Sequence, residues 1–186
     1  MRKILICLLL GISSTLYALD GINIGDKVDL SNIKDIDGGS LTSKGTKTIL
    51  VFYRGSWCPF CIRQLKGLNK ELAPKTKEYN LVGISVDKLK VAKKMKDRFN
   101  LDMQIVSDPK ANTLKQFGIV NKLDDKLVDK YKTAYKIDVE ADSGEKHHMV
   151  AHPAVFIIDS NSKVTFKDVH KDYKQRTPVS KILNNL

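Results

Sequence analysis

An apolar run, TILVFY (Thr48 to Tyr53), passes through RGSW into CPFC (Cys58 to Cys61), and there the hydrophobic period changes. The run shows no polar alternation, so both its faces must be covered, as in the middle of a parallel sheet. From Cys58 onward, Cys61, Leu65, Leu68 and Leu72 share one helical face, Arg63, Lys66 and Lys70 lie off it, and Pro74 stops the helix. LVGISVD (Leu81 to Asp87) then reads as a second buried strand, followed by a helical stripe of Leu89, Ala92, Met95 and Phe99. MQIVSD predicts a third short strand, and ANTLKQFGI a short helix closed by Gly118. Leu123, Leu127, Tyr131 and Ala134 mark an amphipathic helix in an inserted segment. AVFIID and KVTFKDV, joined at Ser160-Asn161-Ser162, predict an antiparallel hairpin, and PVSKILNNL a last helix. Upstream, Asp37-Gly38-Gly39 carries the turn chemistry of a small hairpin. The expected fold class is α/β, with a central mixed β-sheet flanked by helices.

With 186 residues and no internal repeat or linker, the chain suits one domain with a full core. Residues 1–18 read as a secretory signal peptide: Arg2 and Lys3, the apolar run ILICLLLGI, then SSTLYA, with cleavage expected after Ala18. The apolar run is short of the roughly 20 residues that a membrane span needs. Residues 19–186 form the expected domain, and its location is expected to be the periplasm. Cys7 belongs to the signal, which leaves Cys58 and Cys61. A single pair is not a disulfide framework, so these two cysteines serve local chemistry. The net charge of +11 comes mostly from lysine spread over helix faces. That is a solvated surface, not a nucleic-acid patch, and its attraction to an anionic membrane is unspecific.

The spacing within CPFC is informative. Pro59 fits the first helical position, where its missing N–H leaves nothing unsatisfied. Cys58 is then the N-cap, its sulfur near the free amides and the positive end of the helix dipole, which favour thiolate over thiol. Cys61 falls on the apolar stripe, close enough to close a disulfide onto an outer Cys58. A purely structural CxxC disulfide would close a tiny loop and add little stability. Zinc would have to draw on His147, His148, His152 or His170, none at a finger-like spacing. The dithiol therefore reads as redox-active, with no cofactor or metal required. Trp57, just before it, is placed to shield the sulfur or to contact substrate. Pro153 directly precedes a buried strand, and a cis His152–Pro153 bond is expected to turn the chain there, beside the dithiol.

A strand, a WCxxC helix, a proline before the penultimate strand and a hairpin together resemble the thioredoxin fold. Within it, FYRGSWCPFC resembles the peroxiredoxin-like branch of the AhpC/TSA family, whose members carry a YRGxWCPxC signature. The resemblance continues through SVD, FGI with its helical insertion, HPAVFIIDSNSKV, and DYKQRTPVSKIL, where the family shows a DYxxR stretch. It implies a thiol peroxidase in which Cys58 attacks a peroxide O–O bond and becomes a sulfenic acid. Cys61 would condense with it, and an external thioredoxin-like or glutathione-like thiol would reduce the disulfide. Arg54 and Arg176 are the candidates for a cation that holds the thiolate and polarises the peroxide. His152 would tune Cys58 or relay protons.

The chain also departs from the family. Typical peroxiredoxins have Thr or Ser three residues before the reactive cysteine, where this chain has Gly55, and an arginine near the position of His152 and Pro153. The alternative reading is a periplasmic thiol–disulfide oxidoreductase acting on protein disulfides. A redox-inert scaffold on the same fold is a third.

Overall fold

The structure is a computed structural model that describes residues 21–42, 45–75 and 78–186. The expected signal, residues 1–18, lies outside the described residues. Strands run at Lys47–Phe52 (β1), Tyr79–Ser85 (β2), Gln104–Ser107 (β3), Val120–Lys122 (β4), Met149–Ala151 (β5), Ala154–Ile158 (β6) and Val164–Val169 (β7). Helices run at Pro59–Leu72 (α1), Leu89–Phe99 (α2), Asn112–Gln116 (α3), Asp125–Tyr135 (α4), Val139–Ser143 (α5) and Val179–Leu183 (α6). No helix among the described residues is long and apolar enough to cross a membrane.

The main sheet has the order β3-β2-β1-β6-β7. The TILVFY run is its central strand, parallel to β2 (Val51 opposite Gly83) and antiparallel to β6 (Val51 opposite Val155). Both faces are covered, as the unbroken apolar run required. Ile49, Val51 and Tyr53 point into one core with Cys58, Cys61 and Leu65 of the α1 segment, Ala92 and Met95 of α2, and Ile182 of α6. Leu50 and Phe52 point into the other, with Leu114 of α3, Phe117, Val139 of α5 and Phe156. Three rings lock that second core: Phe117 lies 4.9 Å from both Phe52 and Phe156, which are 5.7 Å apart.

Several expectations are refined. Leu89 opens α2 but is 50% exposed, among Lys90, Lys93 and Lys94 of the same helix, so that stripe buries only Ala92 and Met95. In the insertion, Leu123 is buried, Leu127 and Tyr131 pack at the edge of the core, and Ala134 is exposed. The Asp37 turn closes a single bridge, Lys34 to Ser40. The two-stranded β4–β5 sheet and α5 had no sequence signal, being three to five residues each.

The His152–Pro153 bond, expected to be cis, is trans, and no peptide bond among the described residues is cis. Backbone pairing makes the corner instead. His152 N–H donates to Ile119 C=O at 2.8 Å, and Pro153 C=O accepts from His170 N–H at 2.9 Å. The chain thus passes from β5 to β6 with no tight reversal.

Helix α4 buries no residue completely, so its start carries weight. The Asp124 carboxylate caps it by accepting the Leu127 N–H at 2.8 Å. Asp124→Ala should destabilise the protein by about 1 kcal/mol, seen as a melting temperature lower by roughly 2–4 °C.

Candidate active site

Strand β1 delivers Tyr53 to the end of the sheet, residues 54–57 turn, and α1 begins. Cys58 is the N-cap, with extended backbone (φ −86°, ψ 109°), and Pro59 opens the helix. The Cys61 N–H donates to Cys58 Sγ at 3.3 Å. No acidic residue stands in the first turn of α1, so nothing there opposes a negative charge on that sulfur. Cys58 and Cys61 are joined as a disulfide with their Cα atoms 5.2 Å apart. Cys58 was expected to be the outer of the two, yet they are 1% and 0% exposed, both covered.

Arg176 comes from the segment between β7 and α6. Its Nη2 donates to Cys61 Sγ at 3.1 Å and to Cys58 Sγ at 3.7 Å. The guanidinium is aimed by its own segment, because Nη1 donates to the carbonyls of Tyr173 (2.5 Å) and Gln175 (2.6 Å). Burial, and then the charge of Arg54, lower its pKa to about 10, so it stays protonated at neutral pH. An arginine in this position stabilises a thiolate on either cysteine.

Arg54 is held differently. Only 3% exposed, it donates from Nη2 to Tyr131 Oη at 2.9 Å. Its guanidinium faces the rings of Tyr173 (4.7 Å), Trp57 (4.9 Å) and Tyr131 (5.8 Å). Three elements supply those rings: the turn before Cys58, helix α4 and the Arg176 segment. Cation–π contacts with three rings offset part of the desolvation of a buried cation. Tyr173 also meets Phe60 of CPFC edge-on, at 5.9 Å. The Arg176 segment therefore lies over the dithiol as a strap. Trp57 packs against both cores, with its ring 5.4 Å from Tyr131, and it lines a surface cleft of about 490 Å³ with Pro59, Ile62, Arg63, Lys66 and Phe99.

Ala154 pairs with Phe52, so buried Pro153 lies level with Tyr53 at the edge where strand hands over to dithiol. His152 is half-buried and its Nδ1 has no partner. Burial first, then Lys171 and Arg54, hold its pKa below the ordinary value, which leaves it neutral at pH 7.

Sequence reasoning missed Tyr131, Tyr173 and Asp87. Tyr131 carries no local motif, and Tyr173, the tyrosine of the DYxxR stretch, has no role assigned by it; only the fold brings the two rings to Arg54. Asp87 had a usable signal, since it ends the second buried strand at the same sheet edge. Its Oδ2 accepts from the Ser56 N–H at 2.8 Å and the Ser85 hydroxyl at 2.9 Å. Among the described residues, no group of three or more His, Cys, Asp or Glu side chains is placed to hold a metal ion.

The model of the AhpC/TSA family matches residues 24–167. Peroxiredoxin bcp1 of Schizosaccharomyces pombe is 30% identical over 103 residues, 52% of this chain and 52% of that protein. The match thus spans about half the length of that relative. The putative peroxiredoxin bcp of Coxiella burnetii is 28% identical over 126 residues, 64% of this chain and 83% of that protein. Among solved structures, a peroxiredoxin-like protein from Aquifex aeolicus superposes with a TM-score of 0.68 at 16% identity, covering 88% of this chain and 85% of the other. Reduced Prx3 of Vibrio vulnificus, in complex with hydrogen peroxide, superposes with a TM-score of 0.67 at 17% identity, covering 88% and 94%. At such identities the likeness is one of fold, and that fold is thioredoxin-like.

Proposed function

Because the chain belongs to the AhpC/TSA family, we propose that it is an exported thiol peroxidase reducing hydrogen peroxide or organic hydroperoxides through Cys58 and Cys61. The observation that carries this reading is the double approach to the dithiol, by the Cys61 amide on Cys58 Sγ and by the Arg176 guanidinium on both sulfurs. A helix cap and a cation together lower the pKa of a thiol and prepare it as a nucleophile at neutral pH.

In the reduced protein, the Cys58 thiolate attacks one peroxide oxygen, the O–O bond breaks, and the other oxygen leaves as water or an alcohol after taking a proton. Cys58 becomes a sulfenic acid. The Cys61 thiol condenses with it and expels water, giving the Cys58–Cys61 disulfide. Two electrons from an external thiol reductant, thioredoxin-like or glutathione-like, restore the dithiol by exchange. Arg176 stabilises the thiolate and polarises the peroxide. Arg54 holds Trp57, Tyr131 and Tyr173 around the site, while His152 and Pro153 border it. The leader-like residues 1–18 support a periplasmic location, which mass measurement of the exported protein's N-terminus would test.

Removing the Arg176 charge should slow oxidation of the reduced protein by peroxide about 10- to 100-fold, because a hydrogen bond to an ionised group contributes about 1.5–3 kcal/mol. Arg176→Lys should recover only part of the rate, since a single ammonium cannot hold the Tyr173 and Gln175 carbonyls with one nitrogen while donating to the sulfurs with another, as the guanidinium does.

One observation favours a second reading, a thiol–disulfide oxidoreductase acting on protein disulfides. Gly55 stands three residues before Cys58 and offers a peroxide no hydroxyl. Stopped-flow fluorescence of Trp57 separates the two readings: reduced protein is mixed in turn with hydrogen peroxide, an organic hydroperoxide and an oxidised model protein. Second-order oxidation by a peroxide far above the rate of a free thiol supports the peroxidase. Slow reaction with peroxides and fast exchange with the protein disulfide would replace it with the second reading.

A further inference from the structure

Asp87 is fully buried just beyond the end of β2. Besides the two bonds to Oδ2, its backbone N–H donates to Ser85 Oγ at 3.2 Å, and its C=O accepts from the Ser107 hydroxyl at 2.7 Å. Its Oδ1 has no partner, and neither has the buried Tyr53 hydroxyl. A buried carboxyl with a bare oxygen is costly to keep. What it reaches is the turn that carries the dithiol. Ser56 lies two residues before Cys58, and the Cys58 N–H donates to Gly55 C=O at 3.1 Å, so a shift at Ser56 passes directly to the cap. Gly55 itself has φ +157°, a backbone conformation that residues with a side chain rarely adopt, and an added Cβ there would lie 2.4 Å from the Trp57 indole nitrogen, so the turn is tightly folded.

We propose that Asp87 is a positioning residue for the redox dithiol: its carboxylate grips the Ser56 N–H and so fixes the 54–57 turn that keeps Cys58 at the head of α1. The proposal rests on Cys58 being the reacting thiol. The grip depends on charge, because a hydrogen bond to an ionised acceptor is about twice as strong as one to a neutral acceptor. Burial pushes the Asp87 pKa up to about 7, opposed by the bonds from Ser85 and Ser56, with Asp142 adding to the rise. The groups around it are Tyr53 from β1, Ser56 from the turn, Ser85 from β2, Ser107 from the end of β3 and Asp142 from α5. Burial holds the Tyr53 phenol well above its ordinary range, so it stays neutral. Asp142 is half-buried and also raised. The Asp87 carboxyl therefore gains its charge across neutrality, and the turn tightens with it.

The test is the rate of Cys58 alkylation by iodoacetamide in the reduced full chain, followed by mass spectrometry from about pH 6 to about pH 8. The wild-type profile is expected to contain two ionisations, that of the thiol and a second near neutrality that raises reactivity about fivefold. Asp87→Asn should keep the fold by circular dichroism, lose the second ionisation, and stay at the lower rate. Ser85→Ala removes a donor to the carboxylate and should move the second ionisation to higher pH. A folded Asp87→Asn with the wild-type profile overturns the proposal. If that variant does not fold, an unmoved second ionisation in Ser85→Ala overturns it instead. Alkylation does not involve peroxide, so the two readings fail separately. A protein inert to peroxide that keeps the two-step profile sinks the peroxidase and leaves Asp87 its role.

Discussion

Cys58→Ser should reduce peroxide consumption by roughly 10³-fold or more, while leaving the protein folded. A serine hydroxyl is not ionised at neutral pH and forms no sulfenic acid, so both the nucleophile and the electron store disappear together. The fold should not suffer. Serine is a preferred N-cap residue, and its Oγ can accept the Cys61 N–H that Cys58 Sγ accepts now. Loss of activity with an unchanged melting temperature, compared with the reduced wild type, assigns the effect to chemistry. Cys61→Ser should instead permit one turnover and then stop at a sulfenic acid or a mixed disulfide, detectable with a sulfenic-acid-specific reagent. If that variant cycled unimpaired with a dithiol, internal resolution by Cys61 would be wrong.

A second large effect concerns stability. The Asp87 carboxyl has a pKa of about 7 in the folded protein against an ordinary value of 3.8. Between those values the folded state keeps a proton that the unfolded chain has released. The stabilisation from that proton is complete below the ordinary value, falls as pH rises through the interval, and is gone above neutrality. The interval corresponds to roughly 4 kcal/mol. Asp87→Asn, which stays neutral at every pH, should match the wild type near pH 4 and be more stable by up to about that amount near pH 8. Denaturant titrations at both pH values measure it; parallel behaviour of the two proteins would show that the buried carboxyl is not strained by ionisation. A residue that lowers stability yet sits against the dithiol turn fits a protein that gives up stability for function.

What the sequence revealed follows from which features are local. The β1 run, the cap by Cys58 with Pro59 behind it, and the Cys61–Leu72 stripe were all readable, because strand and helix periods are written in neighbouring residues. Arg176 was named only through the DYxxR resemblance; nothing nearby in sequence says that it reaches sulfurs 115 and 118 positions away. Of the cage around Arg54, Trp57 and Tyr173 stand in the WCxxC and DYxxR motifs, but Tyr131 was not readable, since it is 77 residues distant and is brought in by a helix with no fully buried residue. The trans His152–Pro153 bond was misjudged because the partners of that corner, Ile119 and His170, belong to other segments. Local chemistry survives one-dimensional reading, and long-range polar contacts do not.

The complete coverage of both sulfurs has a kinetic consequence. Thiol–disulfide exchange requires the incoming sulfur to touch the one it attacks, and in this conformation neither Cys58 nor Cys61 can be touched. Under the proposed function, regeneration has to wait for the protein to uncover a sulfur, and the frequency of that opening belongs to the protein, not to the reductant. With rising reductant concentration the regeneration rate levels off at that frequency, and chemically different thiols share one plateau. A hyperbolic dependence on reductant would here be a clock reading of the fold's own breathing, and would be no measure of affinity.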